Sequence, residues 1–175
     1  MEGDRWATLD TNQKGAIAEA EVCCAAAWAG VSVYRPTTDH SRADLLFDLG
    51  GRVARVQCKW GRYEDGVIKV RLSTCRLSPT QGYVRSTYSA DEIDAVAAYC
   101  PAFDATYLLP ISLVSGRREI FLRVDPARNN QQVGLKWARD YVFAGAIAQL
   151  GERVTGSHEV AGSSPASSTQ LRLEK

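Results

Sequence analysis

The chain has 175 residues, 45% of them hydrophobic and 23% charged, with a net charge of +1, the balance of one folded unit and not of a disordered or fibrous chain. No stretch approaches the roughly 18 apolar residues that a membrane-spanning helix needs, and the first residues, with Glu2 and Asp4 and no apolar run, do not read as a signal peptide, so a cytoplasmic protein is expected. The five cysteines (Cys23, Cys24, Cys58, Cys75 and Cys100) form no CxxC pair and are joined by only His40 and His158, which argues for reduced thiols and against a structural zinc site.

In chain order, Thr11 or Asn12 caps an alanine-rich helix over residues 14–29, with Ile17, Cys24 and Trp28 at helical spacing and Gly30 as its stop. Residues 31–34 alternate and predict a strand closed by Pro36. Residues 43–49 (ADLLFDL) and 52–60 (RVARVQCKW), joined by Gly50-Gly51, predict a β-hairpin. The apolar phase of its second strand slips between Val53 and Val56, which predicts a bulge or a shift of burial. Residues 66–72 predict a further strand. Ser89 and Glu92 make a capping box, from which Ile93, Val96, Ala97 and Cys100 continue as an amphipathic helix ended by Pro101. Residues 105–112 and 119–124 predict strands, and residues 135–150 a last helix around Trp137, Tyr141 and Ile147. The order is α-β-β-β-α-β with additions, an α/β or α+β domain over residues 1–150. Residues 151–175 are rich in Ser, Gly and Thr with almost no large apolar side chains, and predict a flexible tail.

Asp44 opens one strand of the predicted hairpin. Gln57 and Lys59, two apart on the next strand, share a face. The tight turn sets an acid, an amide oxygen and an ammonium at one end of a sheet, and Glu19 on the preceding helix is within reach, with Glu21 as its rival. This donor set suits phosphodiester hydrolysis. Carboxylates and an amide oxygen bind a hard divalent cation, which activates water and phosphate. Lys59 orients that water or stabilises charge growing on phosphorus. Each residue taken singly reads as surface solvation; the joint pattern argues for a site.

The small net charge hides an asymmetry. Eight basic residues lie between Arg52 and Tyr88, opposed only by Glu64 and Asp65. Among them Arg62, Lys69, Arg71, Arg76 and Arg85 fall in a segment rich in Ser, Thr and Gln, and are candidates for contacts with DNA phosphates and base edges. A solvated loop is the competing reading. A second basic cluster holds Arg117, Arg118, Arg123, Arg128, Lys136 and Arg139. Trp60 and Tyr63 read as packing residues, and His40 as a surface residue.

Lys14-Gly15-x-x-x-Glu19, then Asp44, then Arg55-Val56-Gln57-Cys58-Lys59 resembles the PD-(D/E)xK nuclease superfamily over roughly residues 12–120. Gln57 in place of the usual acid is similar to its subgroup of bacterial homing endonucleases encoded in group I introns of tRNA genes. Ala43 stands where the motif often has Pro, and the spacing from Gly15 favours Glu19 over Glu21. The resemblance implies a restriction-endonuclease-like core, a mixed central sheet flanked by helices. It implies magnesium-dependent, sequence-specific cleavage of double-stranded DNA, with Mn2+ able to substitute, by a homo-oligomer (dimer or tetramer). Carried over by position, Glu19, Asp44 and Gln57 hold or orient the metal and Lys59 is the catalytic lysine. The tail beyond Gly151 also resembles the conceptual translation of a bacterial tRNA gene, which points to a tRNA gene as target. The alternatives are a Holliday junction resolvase-like nuclease and a catalytically inactive DNA-binding module on the same fold.

Overall fold

Asp10 starts the first helix. Its carboxylate accepts the Gln13 N–H at 2.8 Å, while the Gln13 side-chain oxygen accepts the Asp10 N–H at 2.9 Å. This reciprocal box makes Asp10 the cap, in place of Thr11 or Asn12, because only Asp10 has a Gln or Glu three residues on. Helix α1 runs Thr11–Trp28 and buries Ala18, Val22 and Ala26. Small side chains at i, i+4 and i+8 let it lie close on the sheet. Trp28, expected to face inward, is 89% exposed.

This computed structural model describes residues 6–38, 41–78, 80, 82–126 and 134–156. After α1 come β1 (Ser32–Tyr34), β2 (Leu45–Asp48), β3 (Val53–Glu64), β4 (Val67–Arg71), β5 (Thr74–Ser78), β6 (Gly82–Ser86), β7 (Ala95–Cys100) and β8 (Ala105–Pro110). A short helix α2 (Ile111–Val114), β9 (Glu119–Arg123), a 3-10 turn (Ala138–Tyr141) and helix α3 (Phe143–Gly156) complete the order. The main sheet has seven strands in the path β1-β2-β3-β4-β9, with β7 parallel to β3 and β8 antiparallel to β7. Strands β5 and β6 form a separate hairpin. This is the mixed sheet with flanking helices that was expected.

One predicted element is overturned. Residues 89–100 are not a helix: β7 occupies Ala95–Cys100 as an inner strand between β3 and β8. The capping residues do make one turn, with Ser89 O accepting from the Glu92 and Ile93 N–H groups at 3.1 and 3.2 Å. Asp94 N–H then donates to Arg55 O at 2.8 Å and commits the chain to the ladder of β3. All six residues of β7 are buried, so the strand carries no alternation, and a short apolar run of that kind has no readable period. The last predicted helix also starts late: residues 138–141 are a 3-10 turn and α3 begins at Phe143, then passes position 150 to Gly156. Residues 157–175 of the predicted tail lie outside the described residues.

The hairpin register is continuous from Leu45↔Val56 to Asp48↔Val53. The phase slip is therefore a shift of burial and not a bulge: Ala54, Val56 and Cys58 face inward while Val53 is 54% exposed. Two apolar layers result. Leu45, Phe47, Val56 and Ala97 pack against α1 and α3, with Phe47 edge-on to Phe143 at 5.8 Å. On the other face Ile68, Tyr88, Val96, Leu109 and Leu122 form the second layer. A Cβ on Gly61 would stand 2.9 Å from Ile68 Cγ2 and 3.4 Å from Tyr99 O, so the position admits no side chain without displacement.

Candidate active site

Strand β3 changes partners along its length. Residues 53–56 register with β2 and residues 61–64 with β4, whereas residues 57–60 register with β7 alone. Gln57, Cys58, Lys59 and Trp60 stand in that stretch, between the segments that pair with β2 and β4.

Asp44, one residue before β2, takes the place of the departed main chain. Its N–H donates to Val56 O at 3.0 Å. Its Oδ2 accepts the Cys58 N–H at 2.8 Å and also the Gln57 side-chain amide. The carboxylate is thus fixed by backbone before any ligand arrives. Burial pushes the Asp44 carboxyl above its ordinary range, against the Cys58 N–H and the charge of Lys59, which pull it down.

Glu19 reaches this place from α1. Its Oε2 lies 2.8 Å from Arg35 Nη1, and the charges of both are near enough to act on Asp44. Glu21 is turned about 200° around the helix from Glu19, at about 100° per residue, so α1 presents Glu19 here. The Glu19 hydrogen bond, ahead of the others, raises the Arg35 guanidinium above its ordinary value.

Lys59 is largely buried. Burial lowers its ammonium below the ordinary range, and the attraction of Asp44 works against that. Its Nζ lies over the Tyr88 ring, 5.4 Å from the centroid, and Arg42 Cζ stands 5.0 Å from the same ring. Arg42 is itself tied to Glu92 at 3.0 Å and to Thr87 O at 3.0 Å. Cys58, between the two polar residues, has its thiol pushed up by burial and stays protonated, so it is no nucleophile.

Asp44 is therefore bonded to Gln57, with Lys59 and Glu19 near enough for their charges to act on it. Two carboxylates and an amide oxygen form a hard oxygen donor set of the kind a magnesium-like cation takes, leaving other positions to water and phosphate. Among the described residues no three His, Cys, Asp or Glu side chains gather as a metal site, so a cation would rest on these mixed donors. The raised Asp44 carboxyl fits: burial disfavours its charge, and a bound cation relieves that.

Lys59 also lines a groove of about 870 Å3. Its walls carry Lys14, Arg62, Lys69, Arg71 and Arg118, with Glu64 and Glu119 opposing them. Those acids pair with Arg62 at 3.7 Å and Lys69 at 3.2 Å. Of the five predicted DNA contacts, Arg62, Lys69 and Arg71 are on the groove. Arg76 and Arg85 fall in β5 and β6, and their side chains lie outside the described residues, as does His40. Trp60 packs edge-on against Trp6 and Tyr99, and Tyr63 against Phe103 at 4.8 Å, as packing residues do. Sequence reasoning missed Arg35 and Tyr88 at the centre, and named Lys14 and Arg118 without assigning them to the groove. Arg118 was visible as part of a basic cluster; nothing in the periodicity marks Arg35 or Tyr88.

The family model described as PD-(D/E)XK endonuclease matches residues 9–144. No curated protein matches the chain. Among solved structures, that of a bacterial homing endonuclease, I-Ssp6803I, is similar with a TM-score of 0.69 at 24% identity, covering 87% of this chain and 100% of the other. At that identity the likeness speaks for the fold.

Proposed function

The chain belongs to the PD-(D/E)XK endonuclease family, and from that premise we propose that it is a magnesium-dependent, sequence-specific DNA endonuclease of the homing type, acting on a tRNA gene. One observation carries the reading: Asp44 is bonded to the Gln57 amide, the charges of Lys59 and Glu19 act on it, and Lys59 lines a basic groove. Asp44, Gln57 and Glu19 are the residues that hold the cation, with Mn2+ able to replace Mg2+. When bound, the cation supplies charge neutralisation at the scissile phosphate and a more acidic water. Asp44 is pre-set by the Cys58 N–H and does not reorganise on loading. Lys59, desolvated against Tyr88, holds its ammonium towards the phosphate oxygens where charge accumulates. Arg62, Lys69 and Arg71 carry the backbone of the duplex along the groove. Arg76 and Arg85 are assigned to the same duplex from the charge of their segment.

The homing assignment and the tRNA gene rest on Gln57 in the acid's position and on the tRNA-like string after Gly151. One centre cuts one phosphodiester, so a double-strand break calls for two centres and thus a homo-oligomer, a dimer or tetramer. No described helix is long and apolar enough to cross a membrane, and the proposed place of action is the bacterial cytoplasm. The test is incubation of the purified protein with intronless tRNA-gene duplexes and with a four-way junction, followed by mapping of cuts. Site-specific cuts in one duplex with magnesium support the reading. Preference for the junction replaces it with a resolvase, and no cleavage in magnesium or manganese overturns it.

A further inference from the structure

The basic surface does not stop at the groove. Arg62 of β3, Lys69 of β4 and Phe121 of β9 stand directly opposite one another in register and form one cross-strand row. Lys69 joins the two ends of the surface: its Nζ pairs with Glu119 at 3.2 Å and lies 5.3 Å from the centroid of the Phe121 ring. Beyond the row a second hollow of about 320 Å3 is lined by Phe121 with Arg117, Arg123 and Lys136. Phe121 is 46% exposed while its strand neighbours Ile120 and Leu122 are buried. A ring thus projects from the midst of cations, where phosphate contact has no use for it.

We propose that Phe121 reads sequence in the bound duplex, by apolar contact with a thymine methyl in the major groove; this rests on the endonuclease reading above. β9 closes one end of the main sheet beside β4; strands can enter the major groove, where the thymine methyl is the one apolar base-edge group. The flanking cations bind phosphates on either side and fix the register of the strand. The place of contact follows from the sheet. Phe121 is two strands across from Arg62, which is three residues along β3 from Lys59 and so on the other face of that strand; the contact therefore lies outside the base pairs at the cut.

The experiment is selection by binding, in calcium, from duplexes with a randomised central segment, using the full chain and its F121A and F121L variants. The intact protein selects a motif with a T·A preference outside the base pairs at its cleavage position. Replacing that thymine by uracil, which lacks the methyl, weakens its binding about fourfold, the worth of one methyl group. F121A loses the preference and binds both duplexes alike, and F121L keeps part of it. If F121A selects the same motif and still discriminates uracil, the assignment of Phe121 is wrong and the endonuclease reading stands. If the intact protein selects no motif and cuts no duplex, that reading itself fails and takes the assignment with it.

Discussion

At the scale of single residues, Asp44 does two jobs with one carboxylate. It closes the backbone ladder of β3 through the Cys58 N–H and faces the site. Asp44→Asn keeps an acceptor for that N–H and removes the charge, so it should fold normally and cut poorly. Asp44→Asn and Lys59→Ala are each expected to lower the cleavage rate by at least about a hundred- to thousandfold, the range for loss of one charge-stabilising group, with duplex binding largely intact. A cleavage time course beside a gel shift reads both, and full cleavage by either variant in magnesium removes the residue from the site. Gln57→Glu makes a different point. It exchanges an amide donor on Asp44 for a second acid, so the metal-free protein should lose about 1–3 kcal/mol. Magnesium should restore its melting temperature, and identical melting with and without the ion contradicts the placement. Asp44, Gln57 and Lys59 were legible because a Gly-Gly turn and a two-residue period fix which residues meet. Arg35 and Tyr88 were not, since they enter from segments distant in sequence whose own pattern has no reason to mark them.

At the scale of elements, the residues before β7 are held by Arg55. Its guanidinium donates to Asp94 Oδ2 and Oδ1 at 3.1 and 3.0 Å, to Ala90 O at 2.9 Å and to Asp91 O. The pair is part-exposed, which discounts its strength, and Arg55→Ala should cost about 1–2 kcal/mol in chemical denaturation. No loss of stability would mean the chain there is held by β7 pairing alone. Gly61→Ala tests the crossing of β3 from β7 to β4: with Ile68 Cγ2 at 2.9 Å, the added methyl should cost about 1–3 kcal/mol. Unchanged melting would show the layer able to give way. Local pattern predicted the hairpin here and left a bulge open, which the continuous register excludes. It misread β7, because a wholly buried inner strand shows neither alternation nor a helical stripe, and a capping box upstream tipped the balance towards helix.

At the scale of the molecule, the groove should dominate affinity through its charge. Each lysine or arginine that neutralises a phosphate adds about 0.9 to the slope of log affinity against log salt. Arg71→Ala is expected to weaken duplex binding uniformly across sequences and to lower that slope by about one unit. An unchanged slope in a salt titration would place Arg71 away from the DNA. The sequence alone determined the family and the hairpin that sets Asp44 beside Gln57, because turn chemistry and side-chain period act over a few residues and survive without knowledge of the rest. Only the tertiary structure decided that β7 is a strand, that Glu19 pairs with Arg35, and that Lys14, Arg71 and Arg118 share one groove. Those outcomes depend on which surfaces bury one another and on which strand β3 pairs with along its length, a matter of contacts between segments far apart in the chain.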